Sequence, residues 1–163
     1  MHDDLKAHIQ DRFPSLIGPW VSDKSAYEAA LCRALKFSPY KSRHFDTRWN
    51  SYHIELKKGT SIWIDLVRYG EILLGTKEEA KIDTVTLFFI PNKTKDRIDS
   101  AICVPTKTLI EKMSLDLEAA RFLIELQSKL PRQLNAQASL TVSDVRTIAS
   151  LSIPGTLFED WFN

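Results

Sequence analysis

Nowhere in the 163 residues does an apolar stretch approach the roughly 20 residues that a bilayer-crossing helix needs. The first positions, Met1-His2-Asp3-Asp4, carry acids where a secretion signal would carry bases followed by an apolar block. Together these absences predict an intracellular protein, cytoplasmic or nuclear, with no membrane partner. Cysteine is scarce: Cys32 and Cys103 stand far apart with no CxxC and no Cys/His cluster, which argues against a disulfide framework and against a zinc site. Both read as small buried hydrophobes. A charge of one sign is also missing, since the net charge is only +1, whereas a protein held to nucleic acid by many phosphate contacts usually shows a marked basic excess. Repeats, low-complexity tracts, a phosphate-cradling glycine loop, GxSxG and HExxH are all absent.

What the chain does have is 44% apolar residues, enough to bury a core in one domain spanning 1–163. Leu5, Ile9 and Phe13 recur at helical spacing, predicting a covering helix over Asp4 to Phe13 that Pro14 ends. A second helix is expected from an N-cap at Ser22 or Asp23 through Tyr27, Leu31 and Leu35. Then the period changes. Ser51 to Lys57 alternates in the manner of a half-buried strand, with Tyr52, Ile54 and Leu56 inward and His53, Glu55 and Lys57 sharing the other face. Ser42 to Asp46 is the expected hairpin partner, with Thr47 to Asn50 as the connection. After Gly59, a helix capped by Thr60 or Ser61 is expected to run to Leu74, where Gly75 stops it.

Thr84 to Ile90 is β-branched and aromatic and reads as a central strand, with a further strand over Ser100 to Val104. A short helix from Pro105-Thr106 to Met113, a longer one from Asp116 to Pro131 and a last one capped by Ser143 complete the pattern. The order is that of an α/β fold. The closing Leu157 to Phe162 is too apolar for a free tail and is expected to fold back or to dock on a partner, a second copy included.

The chemistry-bearing residues cluster in 41–58, where five bases (Lys41, Arg43, Arg48, Lys57, Lys58) outnumber two acids (Asp46, Glu55). Glu55 and Lys57, two apart on a strand, lie about 6–7 Å apart on one face. A hairpin can return Asp46 to their side. Two carboxylates converging on a point suit Mg²⁺, which fills the rest of its octahedron with water and phosphate oxygens. The competing explanation is an outward-facing Glu55–Lys57 ion pair of little energetic consequence.

Phe45-Asp46 followed by Ile54-Glu55-Leu56-Lys57 resembles the motif of the PD-(D/E)xK nucleases, and the similarity of element order covers roughly 25–91. The resemblance implies a restriction-endonuclease-like αβββαβ core over about 22–113, a central mixed sheet flanked by helices, with extra C-terminal helices over 116–163. It also implies a Mg²⁺- or Mn²⁺-dependent endonuclease acting on nucleic acid, in the first place double-stranded DNA, and working as a homodimer. By that resemblance Asp46 and Glu55 hold the metal, Lys57 assists the nucleophile and Glu28 supplements the site. Phe45 stands where the family's proline is usual, and beyond Arg68 the segment 60–74 adds no further basic signature. An inactive nuclease-fold module that binds nucleic acid or a protein is the alternative.

Arg43, Arg48 and Lys58 are candidate phosphate contacts and Trp49 a candidate base-stacking residue, each set against ordinary surface or packing roles. His44 and His53 flank the motif as candidate proton carriers, and Asp65 and Glu71 as secondary ligands; core or solvated roles compete for all four.

Overall fold

The computed structural model describes residues 3–40, 42–75, 84–113 and 115–150. The chain opens with α1 (Asp3–Arg12), whose Leu5 and Ile9 are fully buried, and Phe13-Pro14-Ser15 tighten into a 3₁₀ turn, as the proline requires. Helix α2 (Tyr27–Leu35) follows. It begins later than the Ser22/Asp23 cap expected: Asp23 Oδ1 accepts from the N–H groups of Ser25 and Ala26, so this aspartate closes an Asx turn ahead of the helix.

Five strands form the main sheet: β1 (Ser38–Pro39), β2 (Thr47–Trp49), β3 (Tyr52–Lys58), β5 (Thr84–Pro91) and β6 (Ile98–Pro105). They lie side by side in that order, and the β3–β5 pair is parallel while the other neighbours are antiparallel. Between β3 and β5 come β4 (Ser61–Asp65) and α3 (Leu66–Leu74). The rest of the described chain is α4 (Thr106–Lys112), α5 (Leu117–Lys129), β7 (Gln137–Thr141) and α6 (Val142–Ser150), with β4 and β7 paired as a separate antiparallel ribbon. The protein is therefore α/β, with a mixed five-stranded sheet flanked by helices.

Alternation along the strands separates two cores. Val85, Leu87 and Phe89 join Ile54, Leu56, Leu5, Ile9, Leu31 and Leu35 on the α1/α2 face. Phe88 and Ile90 join Ile62, Ile64, Tyr69, Ile72, Leu109, Ile110 and Ala120 on the other. Strand β5, buried on both faces, is the interior strand that its β-branched and aromatic run predicts. Helices α3 and α5 meet closely at Gly70, where a Cβ would come within 3.3 Å of Ala120 Cβ.

Further expectations are corrected. The partner strand of β3 is Thr47–Trp49, in register Thr47↔Ile54, and only Asn50-Ser51 make the turn. Ser42 Oγ accepts from the His44 and Phe45 N–H groups, which folds 42–45 into a tight turn in place of a strand. The segment after Gly59 starts as β4: Ile62 and Ile64 are β-branched, point to the core on a period of two, and pair with Leu140 and Ala138. The expected i, i+4 apolar row ran across this strand because the two periods coincide at four residues. Helix α3 starts at Leu66, capped by Asp65 Oδ1 accepting from Val67 and Arg68, and ends at Gly75 in the left-handed conformation, as expected. Finally, Thr141 and Asp144 cap α6 reciprocally, so Ser143 is not the cap. Cys103 is buried but Cys32 only partly so. No helix among the described residues is long and apolar enough to cross a membrane. The apolar 157–162 segment lies outside the described residues.

Asp65→Ala should lower stability by about 1 kcal/mol, whereas Asp65→Asn and Thr60→Ala should lower it by no more than a few tenths, read as urea midpoints at unchanged slope.

Candidate functional site

The hairpin β2–β3 carries the motif residues, and the convergence has a local cause. Just before β2, the Asp46 N–H donates to Ile54 O at 3.0 Å, and Asp46 Oδ2 accepts from the Leu56 N–H at 2.8 Å. The aspartate side chain thus takes the place of a ladder rung and is pinned to the strand that carries Glu55 and Lys57. Lys57 Nζ donates to Glu55 Oε1 at 2.5 Å, as their shared face requires. A third group was not assigned a place from the sequence: Arg68, in the first turn of α3, donates from Nη2 to the same Oε1 at 3.2 Å. Among the described residues Glu55 Oε2 is buried and has no hydrogen-bond partner.

The face that holds Glu55 is not open to solvent. Strand β3 lies inside the sheet, opposite Thr86 of β5, and Glu55 is only 2% exposed. Burial pushes its carboxyl up to about 7; Lys57 and Arg68 oppose the shift, while the negative charge of Asp46 adds to it. The surroundings respond to the same charges. Burial raises the Tyr69 phenol first and Glu55 raises it further, and its hydroxyl lies 3.3 Å from Thr86 Oγ1, itself 3.0 Å from Thr106 Oγ1. Tyr27 on α2 is raised by burial, then by Glu28, Asp46 and Glu55, which puts all three carboxylates within its electrostatic reach.

The other candidates separate. Glu28 and Asp46 line one groove together with Arg33 and Tyr40. Arg43 is held by Glu71 through Nε and Nη2 at 2.7 and 3.1 Å, and buried His44 donates from Nε2 to Glu71 Oε2 at 2.8 Å. Burial alone would raise the Glu71 carboxyl, but these two partners hold it below its ordinary value. This cluster ties the 42–45 turn to α3. Trp49 packs against His8, with ring centres 4.4 Å apart, and stacks on Tyr52 under α1, away from Glu55. Arg48 lies over the Tyr40 ring, and His53 meets Tyr40 and Phe45 edge-on or tilted. Asp65 serves the α3 cap. Lys58 donates to Val21 O at 2.6 Å and sits over the Tyr27 ring on the wall of a cleft that Lys57 also lines.

No family model, curated protein or solved structure matches this chain, so the geometry alone carries the functional argument.

A buried carboxylate oxygen without a partner, within electrostatic reach of a second carboxylate, is a donor set suited to a hard divalent cation. Among the described residues no group of three or more His, Cys, Asp and Glu side chains converges. A two-carboxylate site of this kind fits Mg²⁺ or Mn²⁺, completed by water and phosphate oxygens, and does not fit a closed all-protein cage.

Glu55 also makes stability depend on pH. Its carboxyl holds a proton more tightly folded than unfolded, so its contribution is most favourable at and below the ordinary value of 4.5 and declines as pH rises to about 7. Urea unfolding between pH 5 and 8 should show a fall on the order of 3 kcal/mol that levels off above 7, and Glu55→Gln should abolish the slope.

Proposed function

We propose that the protein is a metal-dependent nuclease of restriction-endonuclease-like fold, hydrolysing phosphodiester bonds of nucleic acid, DNA in the first place. The observation that carries this reading is the unpartnered, buried Glu55 Oε2, on a carboxyl group that feels the charge of Asp46 and whose other oxygen takes Lys57. The element order supports it: α2, then β1, β2 and β3, then α3 and β5, follows the αβββαβ pattern that the motif residues imply, with β4 added.

In this reading Asp46 and Glu55 hold Mg²⁺ or Mn²⁺. The bound ion lowers the pKa of its water and offsets charge on the leaving oxygen. Lys57 has three N–H donors on a flexible stem; one is engaged by Glu55, and the others are available to orient the attacking water and to stabilise a phosphate oxygen. Arg68 favours the charged form of Glu55 against the effect of burial. Because the metal requires that form, binding releases a proton from a group that titrates near 7.

A second reading has its own observation: Glu55 is engaged in two ion pairs and all but enclosed, as in a nuclease-type domain that has kept its fold and only binds its partner.

Supercoiled plasmid should be nicked in Mg²⁺ or Mn²⁺ and spared in EDTA. Asp46→Asn, Glu55→Gln and Lys57→Ala should each reduce the rate on the order of a hundredfold or more. Equal activity in all three variants would discard the reading, and retarded mobility without cleavage by the native chain would favour the second. Mn²⁺ affinity should weaken by about tenfold per unit as pH drops below 7 and be flat above it, a titration that calorimetry reads directly.

A further inference from the structure

Beside Lys57 the surface opens into a cleft of about 540 Å³ whose walls come from three separated parts of the chain. Lys24 stands on the loop before α2, Lys57 and Lys58 at the end of β3, Trp63 on β4, and Lys95 on the turn between β5 and β6. Among the described residues lining it there is no acid. Lys24 and Lys95 are exposed and neither enters an ion pair among the described residues, so their charge is unspent within the fold. Lys58, on the same cleft, is pushed down chiefly by burial, partly offset by Asp23, and Lys95 is close enough to add to the shift.

One wall supplies something other than charge. Trp63 is 58% exposed although its neighbours Ile62 and Ile64 are buried, because β4 turns alternate residues inward and outward. An indole held on a strand at the rim of a lysine-lined cleft presents a flat face at low entropic cost. A free base can stack there; a base inside a duplex is already stacked on its neighbours.

We propose that this cleft binds the backbone of a single-stranded nucleic acid, with Lys24, Lys58 and Lys95 on phosphates and one unpaired base on Trp63. The proposal deepens the nuclease reading and rests on it for one point: Lys57, shared by the cleft and by Glu55, is where the strand meets the metal-binding carboxylates. The substrate class is then an unpaired strand, such as a flap, a loop or an overhang, in place of the intact duplex. The volume suits a nucleotide unit and lies within the usual range of ligand sites.

The two ideas are tested separately by measuring binding without metal. A fluorescein-labelled oligothymidylate in EDTA should bind the full chain, and Lys24→Ala with Lys95→Ala together should weaken it by about tenfold and make the salt dependence shallower by about 1.4 in log–log slope. Trp63→Ala should cost on the order of ten- to a hundredfold and Trp63→Phe much less, since phenylalanine keeps the stacking face. These side chains are exposed, so unchanged urea midpoints are expected. Because binding is read in EDTA, failure of the metal reading stays distinct from failure of the cleft. Equal affinity for a duplex of the same sequence, equal affinity for polyphosphate, or binding indifferent to Trp63→Ala would overturn the proposal. Cleavage of plasmid that all three cleft variants leave unchanged would overturn it too, while sparing the nuclease reading.

Discussion

A carboxylate placed on an inner strand is the constraint around which this structure is arranged. Glu55 is almost fully removed from water, and burying a charge without partners costs several kcal/mol. Lys57 and Arg68 converge on one of its oxygens, but the cost is not cancelled: the carboxyl still titrates near neutrality, and its second oxygen has no partner among the described residues. Asp46 makes the position less comfortable still, since it is held by the Leu56 N–H on the same strand and adds negative charge. In the proposed reading a bound cation offsets this charge. Perturbed groups of this kind gather at functional sites because strain of this sort is otherwise removed by substitution with an apolar residue.

The rest of the fold can be seen as the frame for that strand. Parallel pairing of β3 with β5 places both strands inside the sheet, and the connection needed to return the chain in the same direction brings α3 across the face that holds Glu55. Asp65 sets where α3 starts and so where Arg68 reaches down. Glu71, about one turn beyond Arg68, clamps Arg43 and His44 and thereby fixes the turn that delivers Phe45 and Asp46 to the sheet. The polar contacts around the strand are thus linked through one helix. On the other side, the end of β3 leaves the core at Gly59, whose φ of 137° suits glycine alone, and the lysine-lined cleft begins there.

Much of this organisation was legible in the residues. The unbroken Thr84 to Ile90 run announced a strand buried on both faces, and the i, i+2 spacing of Glu55 and Lys57 placed them on one face because the strand period is two. Asp116 and Gly75 marked helix ends through capping chemistry that needs no tertiary partner. Where the local signal is ambiguous, the structure departs from the expectation. Ile62 to Leu66 satisfies the helical and the strand period over four residues, and its partner, β7, is a weakly patterned segment more than 70 residues away in the chain. The hairpin shifted for a comparable reason: Ser42 offers its hydroxyl to the backbone locally, which outcompetes pairing by 42–45.

By itself the sequence determined the α/β class, the strand that bears Glu55 and Lys57, and their side-by-side placement, since these follow from periodicity and from backbone chemistry within a few residues. Only the tertiary structure decided that Glu55 would be buried, that Arg68 would join Lys57 on it, that Arg43 would be taken by Glu71, and that Lys24, Trp63 and Lys95 would share a cleft. Burial and convergence depend on which strands become neighbours and which helix covers them. Those are contacts between residues distant in the chain, and no local spacing encodes them.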